Sequence, residues 1–416
     1  DIRGSVSPPS ASSKTGLSAG RGARLTMASY SASAPTAPPA KAVLATTTDY
    51  DAPIASAALT PNDGSYHNVD AIRPGADALI SAMTSNHGFP PGLARVVVND
   101  VIFNFPERIW VVDNSGSMAK GDGHRIKTVG NNTKILECTR WQELRDTVKV
   151  HSALAGELLA PTDFRLLNAP GSGAQQYVVC GTGGNSGEAE IMAAMATSPT
   201  RGTPLTRHIN EIREIVAGKA DSLRAEGKQV VVVLATDGVP SNDQGYMNAQ
   251  SKKEFQRALQ TLQGLPIHLV VRLCTDEDEV GDYWNELDTQ VELPLDVLDD
   301  FVGEATEIYQ FNPWLAYGLP LHRAREFGVK NKLFDLLDER PLLASEMYEF
   351  ILLLLGLSED DLPDPAVDTK AFGSALDRFL RVLPRTYNPV AKTTTPWLDK
   401  RKVMAKMKGG GGCVIA

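Results

Sequence analysis

Four cysteines, Cys138, Cys180, Cys274 and Cys413, are scattered over 416 residues. None makes a CxxC pair and none lies near a histidine pair. Neither a disulfide framework nor a zinc site is therefore expected, and a reducing compartment fits. Positive charge is also short, with 41 Lys and Arg against 50 Asp and Glu and a net charge of -9. That balance argues against general nucleic-acid binding, which needs a basic surface to meet phosphates. No apolar run reaches the roughly 18 to 20 residues of a spanning helix. The longest, FILLLLGL from Phe350 to Leu357, reads as core. A secretory apolar region is missing, as are a GxxxxGK[ST] loop and a GxSxG elbow, so P-loop nucleotide chemistry and a hydrolase elbow are not expected.

What is present is 42% apolar residues, enough for a substantial core, on a length that suggests two or three domains. Residues 1–26 are rich in Ser, Gly and Arg and poor in acids, the composition of a transit peptide. The segment from Met27, MASYSASAPTAPPAKAV, also reads as an ordinary initiator, which makes residues 1–26 translated leader; both readings stand at this point. Residues 1–70 hold few large apolar side chains and are expected to be disordered. Residues 71–104 read as a helix and a linker, with a strand-like piece at 93–105.

From residue 107 strands and helices alternate. RIWVVD (108–113), TDFRLLN (162–168), QQYVVCG (175–181), KQVVVVLATDG (228–238) and PIHLVVRLCTD (266–276) read as strands. Helical spacing occupies 139–160, 188–197, 204–227, 252–265 and 296–311. Short all-apolar strands belong to a sheet covered on both faces. The expected fold class is therefore α/β, a doubly wound and mostly parallel sheet flanked by helices over 105–312. A helical extension follows at 313–385, and a basic flexible tail at 386–416. The stretch 118–138 reads as a long surface loop.

One stretch raises a chemical question. IWVVDNSGSMAKGDG (109–123) ends a buried strand on Asp113, followed by Ser115 and Ser117. In open α/β sheets ligands sit at the carboxyl ends of strands. Asp237, in LATDGVPS, ends a second such strand, and Thr203, in RGTPLT, lies on a loop before a helix. Two carboxylates and three hydroxyls make an all-oxygen set suited to a hard divalent cation, Mg²⁺ or Mn²⁺.

These five residues resemble the metal-ion-dependent adhesion site of the von Willebrand factor A domain family, whose pattern is DxSxS, then a Thr, then an Asp. The match is Asp113, Ser115 and Ser117 in DNSGS, Thr203 in GTPLT and Asp237 in TDG, over roughly 105–312, about half the chain. DxSxS alone is weak; five positions in order and in the right contexts are specific. The resemblance implies that Ser115, Ser117 and Thr203 ligate the metal directly or nearly so. The two aspartates act directly or through water. It also implies an open metal position that takes an Asp or Glu carboxylate from a partner protein, and no catalysis. In integrin-type members the last helix shifts on ligand binding, and residues 296–311 occupy that place.

The sequence finishes KRKVMAKMKGGGGCVIA, in which Cys413, Val414, Ile415 and Ala416 resemble a CaaX prenylation box of the farnesyl type. Lys400, Arg401, Lys402, Lys406 and Lys408 add a basic cluster. One lipid chain anchors only marginally, and a polybasic signal supplies the second element. The expectation is a non-enzymatic metal-dependent binding module on the cytosolic face of an anionic membrane. Two other readings stay open: an assembly subunit of a chelatase- or AAA-like machine, and a Mg²⁺-dependent hydrolase.

Overall fold

A computed structural model describes residues 75–129, 132–171, 174–180, 187–275 and 277–409. The expectations for residues 1–70 and for the Cys413 motif lie outside these residues. Two helices, α1 (Ala76–His87) and α2 (Pro91–Asn99), lead through a π-helical turn into β1 (Glu107–Val112). A hairpin follows, β2 (Gly123–Val129) and β3 (Asn132–Cys138), and then α3 (Arg140–Glu157), β4 (Thr162–Leu166) and β5 (Gln176–Val179). Next come α4 (Gly187–Ala194), α5 (Leu205–Ala217), α6 (Ala220–Ala225), β6 (Val230–Thr236), α7 (Ala249–Gln260) and β7 (Ile267–Leu273). The sheet region closes with α8 (Asp278–Gln290), β8 (Leu295–Leu298) and α9 (Phe301–Phe311). Beyond it lie α10 (Leu319–Glu326), α11 (Lys332–Glu339), α12 (Ala344–Leu355) and α13 (Thr369–Val382). A short hairpin, β9 (Thr386–Asn388) and β10 (Thr393–Thr395), precedes α14 (Lys400–Gly409).

The expected fold class holds. One six-stranded sheet has the order β5-β4-β1-β6-β7-β8, parallel throughout except for β5. Setting the β2–β3 hairpin aside, this is the doubly wound order, in which β1 lies at the point where the chain reverses direction across the sheet. Strands β1, β6 and β7 are buried at every position because both faces are covered. Their side chains alternate between two cores. Ile109, Val232, Leu234 and Val271 pack with Ile209 of α5 and Phe255 of α7. Trp110, Val233 and Val270 pack with Leu144 and Val148 of α3. A third core joins α1 and α2 to the helices from α9 onward, through Leu93, Val97, Ile308, Trp314, Phe350 and Phe372 among others.

Four local expectations are corrected. Residues 93–105 are helical rather than a strand. Pro91 starts α2, and Leu93, Ala94, Val97, Val98 and Val101 then fall on one buried face at helical spacing, which outweighs the β-branched run of three valines. Residues 296–298 belong to β8 rather than to a helix, because Leu295–Leu298 pair in register with Leu269–Arg272 at the sheet edge; the helix begins only at Phe301. Much of the long loop at 118–138 is the β2–β3 hairpin. Residues 386–409 are not a flexible tail: β9, β10 and α14 are folded, with Trp397, Leu398, Val403 and Met407 buried in the third core.

Packing of α2 on α12 supplies a stability prediction. A Cβ on Gly92 would stand 1.8 Å from the Leu353 carbonyl oxygen and 2.3 Å from the Gly356 nitrogen. These are backbone atoms that cannot swing aside. Gly92→Ala is expected to destabilise the protein by about 3 kcal/mol in urea unfolding. A change below about 1 kcal/mol, smaller than overpacking normally costs, would mean that the two helices do not meet this closely.

Candidate metal centre

Val112 and Ala235 are register partners on adjacent parallel strands, so Asp113 and the Thr236–Asp237 pair leave the sheet side by side. The Asp113 amide still donates to the Ala235 carbonyl at 2.9 Å, which fixes the aspartate at the strand end. Its carboxylate, fully buried, accepts the Ser115 amide on Oδ1 at 2.7 Å and the Thr236 hydroxyl on Oδ2 at 2.6 Å. Ser115 Oγ lies 3.0 Å from Ser117 Oγ, and Ser117 Oγ donates to Asp237 Oδ1 at 2.8 Å. Four of the five expected residues thus form one hydrogen-bonded chain across the β1–β6 crevice.

The fifth, Thr203, arrives on a separate loop tied to both others. The Gly116 amide donates to the Arg201 carbonyl at 2.9 Å. The Thr203 amide donates to Ser241 Oγ at 2.8 Å, and the Ser241 amide returns a bond to the Thr203 carbonyl at 2.9 Å. The Thr203 hydroxyl faces Gly238, where an added Cβ would be 3.8 Å away. Arg201 holds a left-handed backbone, with φ of 72°. A non-glycine residue rarely keeps that conformation unless its surroundings impose it. Asn114 braces the first loop from below, exchanging side-chain bonds with the Asn168 backbone at 2.8 and 2.9 Å.

Burial, and then the nearby Asp237 charge, push the Asp113 carboxyl up to about 7. Burial also raises Asp237, against bonds from Ser117 and Arg140. Arg140, not anticipated from the sequence, is 1% exposed and is shared among three acids. Its guanidinium donates to Asp237 Oδ2 at 3.0 Å, to Asp122 Oδ1 at 2.7 Å and to Glu277 Oε1 at 2.6 Å. Burial works against this charge, but the bonds that Arg140 donates to Asp122, Glu277 and Asp237 keep it protonated. The local signal for it is faint: an arginine in the first turn of α3 opposes the helix dipole, so acids elsewhere must balance it. Thr236 was also missed, since a threonine inside an apolar strand has no distinguishing pattern.

The donor set fits a hard divalent cation. Every side-chain donor is oxygen, the two carboxylates are largely removed from water, and Arg140 balances only one of them. Like charges held in such a place are costly unless a cation joins them. Asp113, Ser115, Ser117, Thr203 and Asp237 are the residues that would hold Mg²⁺ or Mn²⁺. Beside Thr203 opens a polar cleft of about 580 Å³, lined by Asn168, Arg201, Arg207 and Asp243 among others.

A second group, His124, Glu143 and Asp300, brings its ligand atoms within 4.8 Å of one another. Its acceptors are already engaged. His124 Nδ1 lies 2.9 Å from Asp300 Oδ2, the His124 amide donates to Glu143 Oε2 at 2.8 Å, and Glu143 Oε1 pairs with Arg272. Asp300 Oδ1 caps α9. With a buried guanidinium against one carboxylate, this is an internal charge network along one wall of a cavity of about 420 Å³. No protein-family model matches the chain, and no curated protein matches it.

Proposed function

We propose that this protein is a non-enzymatic, divalent-metal-dependent binding module of the von Willebrand factor A type. It docks a protein partner's Asp or Glu carboxylate at Asp113, Ser115, Ser117, Thr203 and Asp237, and it is held on the cytosolic face of a membrane by farnesylation of Cys413 and by basic residues. The observation that carries the metal half is the hydrogen-bonded chain from Asp113 through Ser115 and Ser117 to Asp237, at the β1–β6 crevice, with the Thr203 loop against Gly238.

A bound Mg²⁺ or Mn²⁺ supplies a hard, positively charged position for an outside oxygen. The protein residues set its surroundings. Two of the five donors are carboxylates, and Arg140 offsets one of them. A divalent ion would cancel the charge of the two carboxylates, and its open coordination position would still attract an anionic partner oxygen. Ser115 and Ser117 contribute neutral oxygens and add no competing charge. Arg201 and Arg207 are exposed on the neighbouring cleft and extend the positive rim. The membrane half rests on the CVIA sequence and on the lysines before it.

Thermal unfolding of the full chain during Mg²⁺ and Mn²⁺ titration tests the metal half. A ligand bound only by the folded state raises stability by about 2.7 kcal/mol at a hundred times its dissociation constant. Wild type is expected to gain stability progressively, and Ser115→Ala is expected to gain little or none. A Ser115→Ala response that follows the wild-type curve, or no wild-type response in the millimolar range, defeats the reading.

A further inference from the structure

We propose that the folded segment from α13 through the β9–β10 hairpin to α14 is itself a docking face for anionic membranes, acting without lipidation and without metal. The proposal deepens the membrane half of the reading above, but it rests on charge and folding rather than on Cys413.

Between residues 370 and 409 stand ten Lys and Arg against two acids, on a chain whose total is -9. Nine of the ten basic side chains are exposed, and Lys400 is half-buried. Both acids are already committed. Asp377 accepts Arg381 at 3.0 Å and Lys400 at 3.1 Å, bridging the end of α13 to the start of α14. Asp399 Oδ1 caps α14 through the Arg401 amide at 3.0 Å. Arg385 is fixed against the hairpin by a bond to the Thr394 carbonyl at 2.9 Å. Among the described residues no other acid answers this positive charge, and it faces solvent.

This face is built, not draped. Trp397, Leu398, Val403 and Met407 are buried beneath it, and the Asp399 amide donates to the Trp314 carbonyl at 2.8 Å. A fixed array loses less side-chain and backbone freedom on docking than a floppy basic tail does. Its exposed large apolar side chains include Val382 and Val390, 80% and 36% exposed, with Val367, 85% exposed, just before α13 and Tyr309 of α9, 39% exposed, beneath Lys402. Val382 follows Arg381 directly and Val390 stands two residues before Lys392, and aliphatic groups next to such charges suit a lipid interface. Single-stranded nucleic acid would want successive aromatic platforms for base stacking, and Tyr309 is one ring already covered by Lys402.

The test uses the full chain carrying Cys413→Ser, so that no prenyl group contributes, and sediments it with vesicles. Binding is expected with phosphatidylcholine vesicles containing about 30% phosphatidylserine and not with phosphatidylcholine alone, and it should weaken sharply between about 50 and 300 mM salt. Arg378→Glu/Arg381→Glu/Arg385→Glu should lower binding about a hundredfold, because each basic residue near the surface contributes about 1 kcal/mol. Arg381 and Arg385 give up only an exposed ion pair and one exposed hydrogen bond, so the triple variant should melt only slightly below its parent in thermal unfolding. Equal binding to both vesicle types overturns the proposal. So does a triple variant that binds like its parent, which would assign attraction to the last lysines alone. Tighter binding to a nucleic-acid duplex than to the anionic vesicles at the same salt would reassign the face and equally overturn it. Absence of a farnesyl group on Cys413 would defeat the lipid-anchor reading and leave this one standing.

Discussion

Arg140→Met is expected to lower stability by about 3–5 kcal/mol in metal-free buffer, the usual cost of stripping one partner from a buried ion cluster. The guanidinium is almost wholly buried and is the counter-charge that reaches Asp237, Asp122 and Glu277 together. Without it Asp237, 2% exposed, sits unbalanced beside the fully buried Asp113. The same substitution should enlarge the stabilisation by Mg²⁺ relative to wild type, since a cation then replaces the missing charge. Arg140→Lys should fall between the two, because an ammonium keeps the charge but cannot fork toward three carboxylates. Urea unfolding with chelator and with saturating Mg²⁺ separates these effects. A metal-free loss below about 1 kcal/mol, the scale of an exposed pair, would show that the cluster is not buried as described. A smaller Mg²⁺ gain than wild type would show that Arg140 supports the metal rather than substituting for it.

Glu326→Gln is expected to cost a similar amount, about 3–5 kcal/mol at pH 7, in a buried cluster that shares no residue with the candidate metal centre. Glu326 is fully buried on α10, where it accepts His151 of α3 at 3.0 Å, Arg323 at 2.6 Å and Arg272 of β7 at 3.3 Å. Burial works against its charge, but the Arg323 guanidinium and hydrogen bonds from His151 and His322 hold its carboxyl well below the usual range. His151 is kept neutral, its pKa pushed down to about 4 by burial. A depressed carboxylate contributes stability that is complete above its unfolded value and is lost as pH falls through its folded value. The deficit of the variant should therefore be full at pH 7 and shrink below about pH 4.3, the ordinary glutamate value. Urea unfolding at both ends of that window checks it. A deficit that persists unchanged in acid would assign the loss to packing rather than to charge.

Much of the sheet could be read in advance because its strands are buried on both faces. Val230–Thr236 and Ile267–Leu273 announce themselves as apolar runs, whatever packs on them. Elements that depend on distant partners did not. β8 is an edge strand defined by its register with β7, and its own residues, Leu295–Leu298, read equally well as the start of a helix. Val96, Val97 and Val98 carry strand propensity, yet the face formed with Leu93 and Val101 is what packs. The five candidate ligands were visible because the chemistry concentrates them at strand ends and loops. Arg140 was not, since its role exists only once Asp122, Asp237 and Glu277 are brought together from three parts of the chain.

Helix α9 has a consequence for reach. It starts at the sheet edge that carries the candidate metal loops, where Asp300 meets His124, two residues from Asp122. It ends where the C-terminal segment docks, with Lys402 Nζ on the Pro313 carbonyl at 3.0 Å. Eleven residues of helix make a strut about 16 Å long. For a molecule seated on its basic face, the strut separates the proposed ligand-taking edge from the headgroups by up to about that length. A partner tethered to the same bilayer would span such a gap with about five extended residues between its anchor and its acidic side chain. A stalk too short for the gap cannot make the contact at any concentration, whereas a longer one meets it at the raised effective concentration of a shared surface.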